Sequence, residues 1–255
     1  MSEQQNIGLQ YGARIATLAR LPEDLTNRTD VTAIGFSTTR LESLEGIGAP
    51  NVTNISIDGE LKVDSLAPLN NLLHLRYLDL WLGGEKEYKI SEITNLPSLK
   101  TLQIRLINGS IDFQGIENLS QLVDIQISGN GEIINIEGIG RLANLEHLRI
   151  EGAEWPEFSL EFLWDMPNLR ALSIFNREID GIRYKEFTPR QVLDISPLAT
   201  LPKLANLQCS GFIIKNVAAL DALNDDHWYL VFFWSRLYNE TDESRHFIYF
   251  QPEGK

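Results

Sequence analysis

The chain has 255 residues, of which 43% are hydrophobic, so it can bury a core and is not a disordered chain. Its formal net charge of −13 repels phosphate backbones and anionic lipids, which argues against nucleic-acid and membrane binding. The single cysteine, Cys209, excludes an internal disulfide framework and a zinc site built from several cysteines.

The first residues carry no signal for export. The start of the chain lacks a basic segment followed by an apolar one, which is the pattern of a secretory signal. No apolar run approaches the roughly 18 residues that a membrane-spanning helix needs. We therefore expect a cytoplasmic protein.

A strand pattern, Leu-x-x-Leu-x-Leu, recurs along the chain after an apolar segment, RIATLARL, within residues 1–30. Neighbouring copies are 21 to 24 residues apart except for one step of 35, and a fixed period of this size indicates a solenoid, a propeller or an array. Ile248 marks a possible last copy. The middle apolar residues of the other copies are Ile34, Ile55, Leu78, Leu102, Ile125, Leu148, Leu172, Leu207 and Leu230.

Between these strands the chain carries a second half-unit. Its apolar residues recur every three or four positions, which predicts a helical turn or a 3₁₀ segment as the return. The clearest examples are ISEITNLPSL at 90–99, FQGIENLSQL at 113–122, IEGIGRLANL at 136–145 and ISPLATLPKL at 195–204.

With these two half-units the chain resembles the leucine-rich-repeat family over about residues 31–233. The period of about 23 residues and the I-x-x-I-x-x-L-x-x-L returns are most similar to the internalin and phosphatase-regulatory-subunit subtype. The asparagine that this family places after the second strand leucine is matched by Asn130, whereas Asn108 and Asn176 are one position off.

The resemblance implies an α/β solenoid, a curved leucine-rich-repeat arch. Parallel strands would line its concave face, and helical or 3₁₀ returns would line its convex face. Its ends need caps. We assign residues 1–30 to an N-terminal cap, 31–226 to repeats with an insertion at about 177–192, and 227–255 to the last strand and a capping hairpin that turns at NETDES.

Alternation along the strands identifies the side chains that are free to bind a partner. The residue before each marked position, the one after it and the one three after it should face the concave side. Aromatic side chains at these positions are built like interface anchors, and the acids would meet a basic partner. With Tyr184 of the insertion, the predicted partner-binding residues are Asp58, Tyr77, Asp79, Trp81, Arg105, Asp124, His147, Arg149, Glu151, Phe175, Tyr184, Tyr229 and Phe233.

Structural interpretations of the same residues stay open. The side chains at these positions can equally form ladders on a solvated sheet, and Phe233 can equally pack in the cap. The insertion can be a tolerated surface loop, although loops on a rigid scaffold often carry function.

The sequence offers no recognisable catalytic constellation. It has four histidines without a metal-binding His-x-x-x-His pair, and no phosphate-binding glycine loop. His147 and Glu151 project from one strand and are the nearest approach to an acid–base pair. Cys209 occupies a core strand position. We therefore predict no catalytic, cofactor or metal site.

These observations favour a non-enzymatic protein-binding module that is monomeric on its own. The more specific hypothesis is a soluble acidic inhibitor or immunity protein that occludes a basic protein toxin with its concave face. The internalin-like subtype that the chain resembles is common in bacteria, which suits this hypothesis. One alternative is a regulatory or targeting subunit that holds a cytosolic enzyme, and another is an enzyme of unknown type.

Overall fold

A computed structural model gives the fold of most of the chain. The backbone alone is described for residues 7–10, 13–16, 36, 222, 229–237 and 246–250. The described residues as a whole are 7–10, 13–16, 21, 25–36, 41–152, 159–176, 191–223, 229–237 and 246–250.

The chain divides into two compact units, each of which is described by itself. Unit 1 comprises Met1–Leu122 and Gly131–Gly138. Unit 2 comprises Val123–Asn130 and Ile139–Lys255.

Unit 1 contains a main sheet and a small second sheet. In the main sheet β1 and β2 form an antiparallel hairpin, and β2, β3, β4, β5 and β7 follow side by side in parallel. The second sheet is parallel, in the order β6, β8, β10. The strands are β1 (Ile7–Gln10), β2 (Ala13–Ala16), β3 (Ala33–Phe36), β4 (Asn54–Leu61), β5 (Tyr77–Gly83), β6 (Glu87–Lys89), β7 (Thr101–Ile107), β8 (Ser110–Asp112) and β10 (Glu132–Ile134).

Unit 2 repeats this arrangement. Its main strands β9, β11, β12, β14 and β16 pair in parallel, and β17 closes the series antiparallel to β16. The short strands β13 and β15 pair with each other, and β15 also pairs with the far end of β16. The strands are β9 (Asp124–Gly129), β11 (His147–Gly152), β12 (Ala171–Asn176), β13 (Val192–Asp194), β14 (Asn206–Ser210), β15 (Ile213–Lys215), β16 (Tyr229–Leu237) and β17 (His246–Phe250).

All helices of the described residues are short 3₁₀ segments, as the return pattern predicts. Apolar residues at a spacing of three, such as Ile90, Ile93, Leu96 and Leu99, are all buried, and a 3₁₀ helix begins at the first of them. The helices are η1 (Leu25–Asn27), η2 (Ala67–Asn71), η3 (Ile90–Glu92), η4 (Ile116–Asn118), η5 (Ile136–Arg141), η6 (Glu161–Leu163), η7 (Ser196–Thr200) and η8 (Val217–Ala222).

The predicted register is confirmed within each unit. In unit 1 Ile55 pairs with Leu78, and Leu78 pairs with Leu102. In unit 2 Leu148 pairs with Leu172, which pairs with Leu207. These residues are all buried, so the strands stack their apolar side chains in columns beneath the sheet.

Two features of the backbone differ from the sequence-based expectation. Ile248 is not a further repeat, because its strand runs antiparallel to β16 and Ile248 pairs with Phe232. Each short strand of three residues also went unpredicted, since a run of three is too brief to show an alternating pattern. The predicted insertion falls between β12 and β13, and its residues 177–190 lie outside the described residues.

Glycine at the turn between β7 and β8 is a strict requirement of this fold. Gly109 has φ +63°, and a Cβ added there would lie 2.3 Å from the Lys86 carbonyl oxygen and 2.5 Å from that of Gly84. Both neighbours are backbone atoms and cannot move alone. We expect Gly109→Ala to lower the free energy of unfolding by at least about 2 kcal/mol, measured by chemical denaturation.

Gly46→Ala is the matched control for this prediction. Gly46 also has a positive φ, +82°, but a Cβ there would meet nothing within 4 Å. We expect it to cost only the backbone strain of about 1 kcal/mol. Equal losses in the two variants would contradict the close packing at Gly109.

Candidate functional site

The candidate site of unit 1 is the display face, which we define as the side of β4, β5 and β7 opposite the buried leucine columns. The backbone register brings side chains of three strands into rows. One row joins Ser56, Asp79 and Gln103, and the next pairs Trp81 with Arg105. Alternation fixes this placement, because the intervening Leu78, Leu80 and Leu82 are all buried.

Hydrogen bonds cross the strands of this face. The Ser56 hydroxyl donates to Asp79 Oδ2 at 3.0 Å. The Tyr77 hydroxyl donates to Gln103 Oε1 at 3.0 Å, which joins two neighbouring rows. The hydroxyl and amide groups of the face therefore hold its acid and its tyrosine in defined positions.

An arginine lies over the tryptophan of this face. The Arg105 guanidinium carbon is 4.7 Å from the centre of the Trp81 ring, which is a cation–π distance. Arg105 Nη1 is 3.9 Å from Asp58 Oδ1, and both side chains are at least half exposed. Trp81 Nε1 is buried and has no hydrogen-bond partner among the described residues.

Asp79 is a half-buried carboxyl group. Burial raises its pKa above the ordinary aspartate value, and the negative charge of Asp58 adds to this. The hydrogen bond from Ser56 and the charge of Arg105 act in the opposite direction but do not cancel the effect of burial. The charged form of this carboxyl group is therefore less stable, relative to its protonated form, than that of an exposed aspartate.

The corresponding face of unit 2 carries polar contacts of its own. His147 Nδ1 lies 3.9 Å from Asp124 Oδ2. Arg149 Nη2 donates to Glu151 Oε2 at 2.8 Å, and its guanidinium carbon is 4.9 Å from the centre of the Phe175 ring. Glu151 is therefore an acceptor for Arg149 on the same strand.

Phe175 differs from the expectation of an exposed anchor. Only 9% of its surface is exposed, and the Arg149 guanidinium carbon lies over its ring. Phe175 is therefore not a displayed aromatic surface in this structure. Of the other predicted residues, Tyr184 lies outside the described residues, and Tyr229 and Phe233 are described by their backbone in β16 alone.

Sequence reasoning missed a second set of polar contacts on the return side. In unit 1 the Asn135 amide donates to Asp112 Oδ1, and in unit 2 the Asn216 amide donates to Asp194. Both asparagines have a left-handed backbone, with φ of 56° and 63°. The sequence signal for these contacts is an aspartate followed about one repeat later by an asparagine. The hydrogen bonds connect adjacent turns of the repeat.

The described residues contain no group of three or more His, Cys, Asp or Glu side chains suited to hold a metal ion. None of the helices in the described ranges is long and apolar enough to cross a membrane. A surface cavity of about 570 Å³ lies on the return side of unit 1, and its lining includes Glu45, Leu73 and His74.

Comparisons with known proteins identify the fold. No protein-family model and no curated protein matches the sequence. Among solved structures, internalin C2 of Listeria monocytogenes is similar with a TM-score of 0.54 and 22% identity, over 85% of this chain and 84% of that one. This chain has the leucine-rich-repeat fold.

A leucine-rich-repeat protein of Leptospira interrogans supports the same conclusion. It is similar with a TM-score of 0.56 and 18% identity, over 87% of this chain. The matched region spans 59% of that protein's length. At this level of identity the likeness shows the fold alone. The function therefore has to be argued from the residues of the present chain.

Asp79 gives a prediction for the pH dependence of stability. Because its pKa is raised in the folded state, folded protein binds this proton more tightly than unfolded protein. The free energy of unfolding therefore falls as pH rises from the ordinary value of 3.8 through the folded value. We expect Asp79→Asn to gain stability relative to the parent across this window, by less than about 1 kcal/mol, in denaturation at pH 3.5 to 7.5.

Asp64→Asn provides a control of opposite sign. A hydrogen bond from Lys86, at 2.8 Å, and the charge of Lys86 lower the pKa of Asp64. Its contribution to stability is present above the ordinary value and is lost as pH falls through the folded value. If both variants shifted stability in the same direction as pH rises, the burial of Asp79 would not be the cause.

Cys209 gives a prediction for chemical reactivity. It is fully buried in β14, and burial raises its pKa because the thiolate would be desolvated. We expect its reaction with a thiol-specific disulfide reagent to be more than about 100-fold slower in the folded protein than in denaturant. Rapid release of one equivalent of chromophore from the folded protein would contradict this burial.

Proposed function

We propose that this protein binds a basic partner protein through the display face, and that it acts as an inhibitor or immunity protein against a basic toxin in the cytoplasm. The observation that carries the proposal is the composition of the face in unit 1. Tyr77 and Trp81 are partly exposed aromatic side chains, and Asp58 and Asp79 lie beside them. Aromatic area next to carboxylates is the composition that binds cationic protein surfaces.

The charge of the whole chain supports a basic partner. A net charge of −13 attracts cationic proteins over long range and raises the rate of their association. Attraction of this kind acts before contact, whereas the display face would determine which partner stays bound.

The inhibitory role follows from the chemistry of the expected partner. Proteins that act on nucleic acids or on anionic lipids carry basic working surfaces, because these surfaces must bind phosphate. An acidic binder that recognises basic residues covers the same surface and competes with the substrate. Occlusion therefore requires no catalytic group in this chain.

A regulatory or targeting subunit that holds a cytosolic enzyme is the second candidate. The return segments, which resemble those of phosphatase regulatory subunits, favour it. The two roles differ in the recovered partner: a basic toxic protein supports inhibition, whereas an abundant housekeeping enzyme that keeps its activity supports the regulatory role. Turnover by this protein alone would instead support an enzyme of unknown type.

A double substitution tests the display face. Tagged protein carrying Trp81→Ala and Asp79→Ala should recover the basic partner with at least about ten-fold lower affinity than the parent, because it loses an aromatic anchor and an adjacent carboxylate. The measurement is capture from cell extract followed by titration of the identified partner.

Trp164→Ala with Glu161→Ala is the matched control. It removes the same two kinds of side chain from the return side of unit 2, where both residues are exposed. We expect this control to bind as the parent does. A loss of binding in the control, with none in the display-face variant, would move the binding surface to the return side.

A further inference from the structure

Arg105 is a cationic side chain of the display face that contacts other side chains of the same face. It lies opposite Trp81 across the β5–β7 pair, over the indole ring, with its guanidinium directed at Asp58. Its charge also reaches Asp79, whose pKa it lowers. One cation thus touches or influences an aromatic ring and two carboxylates at once.

The contacts of Arg105 are weak enough to be exchanged. At 3.9 Å the distance from Arg105 Nη1 to Asp58 Oδ1 is too long for a hydrogen bond. The Arg105 side chain is 51% exposed and that of Asp58 is 72% exposed, so water and salt screen the pair. Asp58 also lies where the β4–β5 register is irregular, between Ile57 and Leu61, so the regular ladder does not fix it.

The groups around Arg105 can make more hydrogen bonds than they make within the described residues. Trp81 Nε1 is a buried donor without an acceptor, which is costly for a folded protein. Asp79 accepts one hydrogen bond, from Ser56, although a carboxylate can accept several. A bound guanidinium would supply further donors for the carboxylates.

We propose that Asp58, Asp79 and Trp81 form a socket for an arginine side chain of the partner, and that Arg105 occupies this socket in the free protein and leaves it on binding. The inference rests on the proposed function, which it deepens by naming the partner's side chain. It also reverses the expected role of Arg105, which becomes a competitor of the partner rather than a contact with it.

The socket favours arginine over lysine. A planar guanidinium can stack on the indole while two of its N–H groups donate to a carboxylate, and the Arg105 guanidinium carbon already lies over the ring at 4.7 Å from its centre. An ammonium group is compact and strongly hydrated, so it gains less from the ring and binds a carboxylate at a single point.

The arginine of unit 2 is held differently. Arg149 donates to Glu151 at 2.8 Å, and the Glu151 side chain is only 17% exposed. The ring beneath Arg149, Phe175, is 9% exposed. Both partners of Arg149 are thus largely enclosed, and we place no socket there.

The test is binding of a blocked peptide, acetyl-Gly-Arg-Gly-amide, to the full chain. The Trp81 indole N–H resonance, assigned by its loss in Trp81→Phe, reports directly on the socket and gives the Kd. We expect Arg105→Gln to bind this peptide about five-fold to ten-fold more tightly than the parent, because the internal competitor is gone. The lysine peptide, acetyl-Gly-Lys-Gly-amide, should bind more weakly to each protein.

Lys89→Gln is the control for net charge. It makes the chain more negative by the same amount, but Lys89 lies in β6 and pairs with Glu87 on the return side of unit 1. We expect its Kd to equal that of the parent within about two-fold, since charges on another face are screened. Adding Asp79→Asn to Arg105→Gln should abolish the gain in affinity.

Unchanged or weaker binding of the arginine peptide by Arg105→Gln would overturn the proposal, and so would equal gains in Arg105→Gln and Lys89→Gln. Equal binding of the arginine and lysine peptides would overturn the preference for arginine. These outcomes can be told apart from a failure of the proposed function. The double variant Trp81→Ala with Asp79→Ala can still lose the partner protein even when the peptide titration shows no arginine socket.

Discussion

Parallel backbone pairing in a fixed register is the constraint on which both units depend. Side chains on a strand alternate between two faces, so a slip by one residue would move every leucine from the core to solvent. In unit 1 the pairs Ile55–Leu78 and Leu78–Leu102 hold this register, and in unit 2 the pair Leu148–Leu172 does so. Burial of the apolar columns therefore also determines which residues can face a partner.

The same register groups the exposed chemistry into rows across strands. Neighbouring strands are about 4.8 Å apart, so residues at equal positions in successive repeats can touch. This is why Ser56 reaches Asp79, and why Trp81 lies beneath Arg105, although 23 or 24 residues separate the members of each pair. Each repeat supplies one member of a contact, and a binding group is complete only when adjacent repeats stack.

The repeat period made the main strands, their parallel order and their buried residues predictable from sequence. The 3₁₀ returns were predictable too, because their apolar residues recur at the spacing that such turns bury. The repeat pattern alone left Ile248 open as a possible further copy, and only the separate expectation of a capping hairpin at NETDES implied an antiparallel strand there. Display positions followed from alternation, but the burial of Phe175 did not, because it depends on how neighbouring side chains pack over the ring, Arg149 among them.

A charged Asp79 lowers the stability of the fold, and the repeat does not require an acidic residue at this position. Its neighbours in the same row are neutral, Ser56 on one side and Gln103 on the other, so this position accepts uncharged polar residues in both adjacent repeats. Burial nevertheless raises the pKa of Asp79, and keeping it charged at neutral pH therefore takes free energy from the fold. Such a local conflict between chemistry and scaffold is characteristic of a functional position. In the proposed socket, an arginine that the partner places directly against Asp79 would reduce this cost, because it would stabilise the carboxylate more than the more distant charge of Arg105 does.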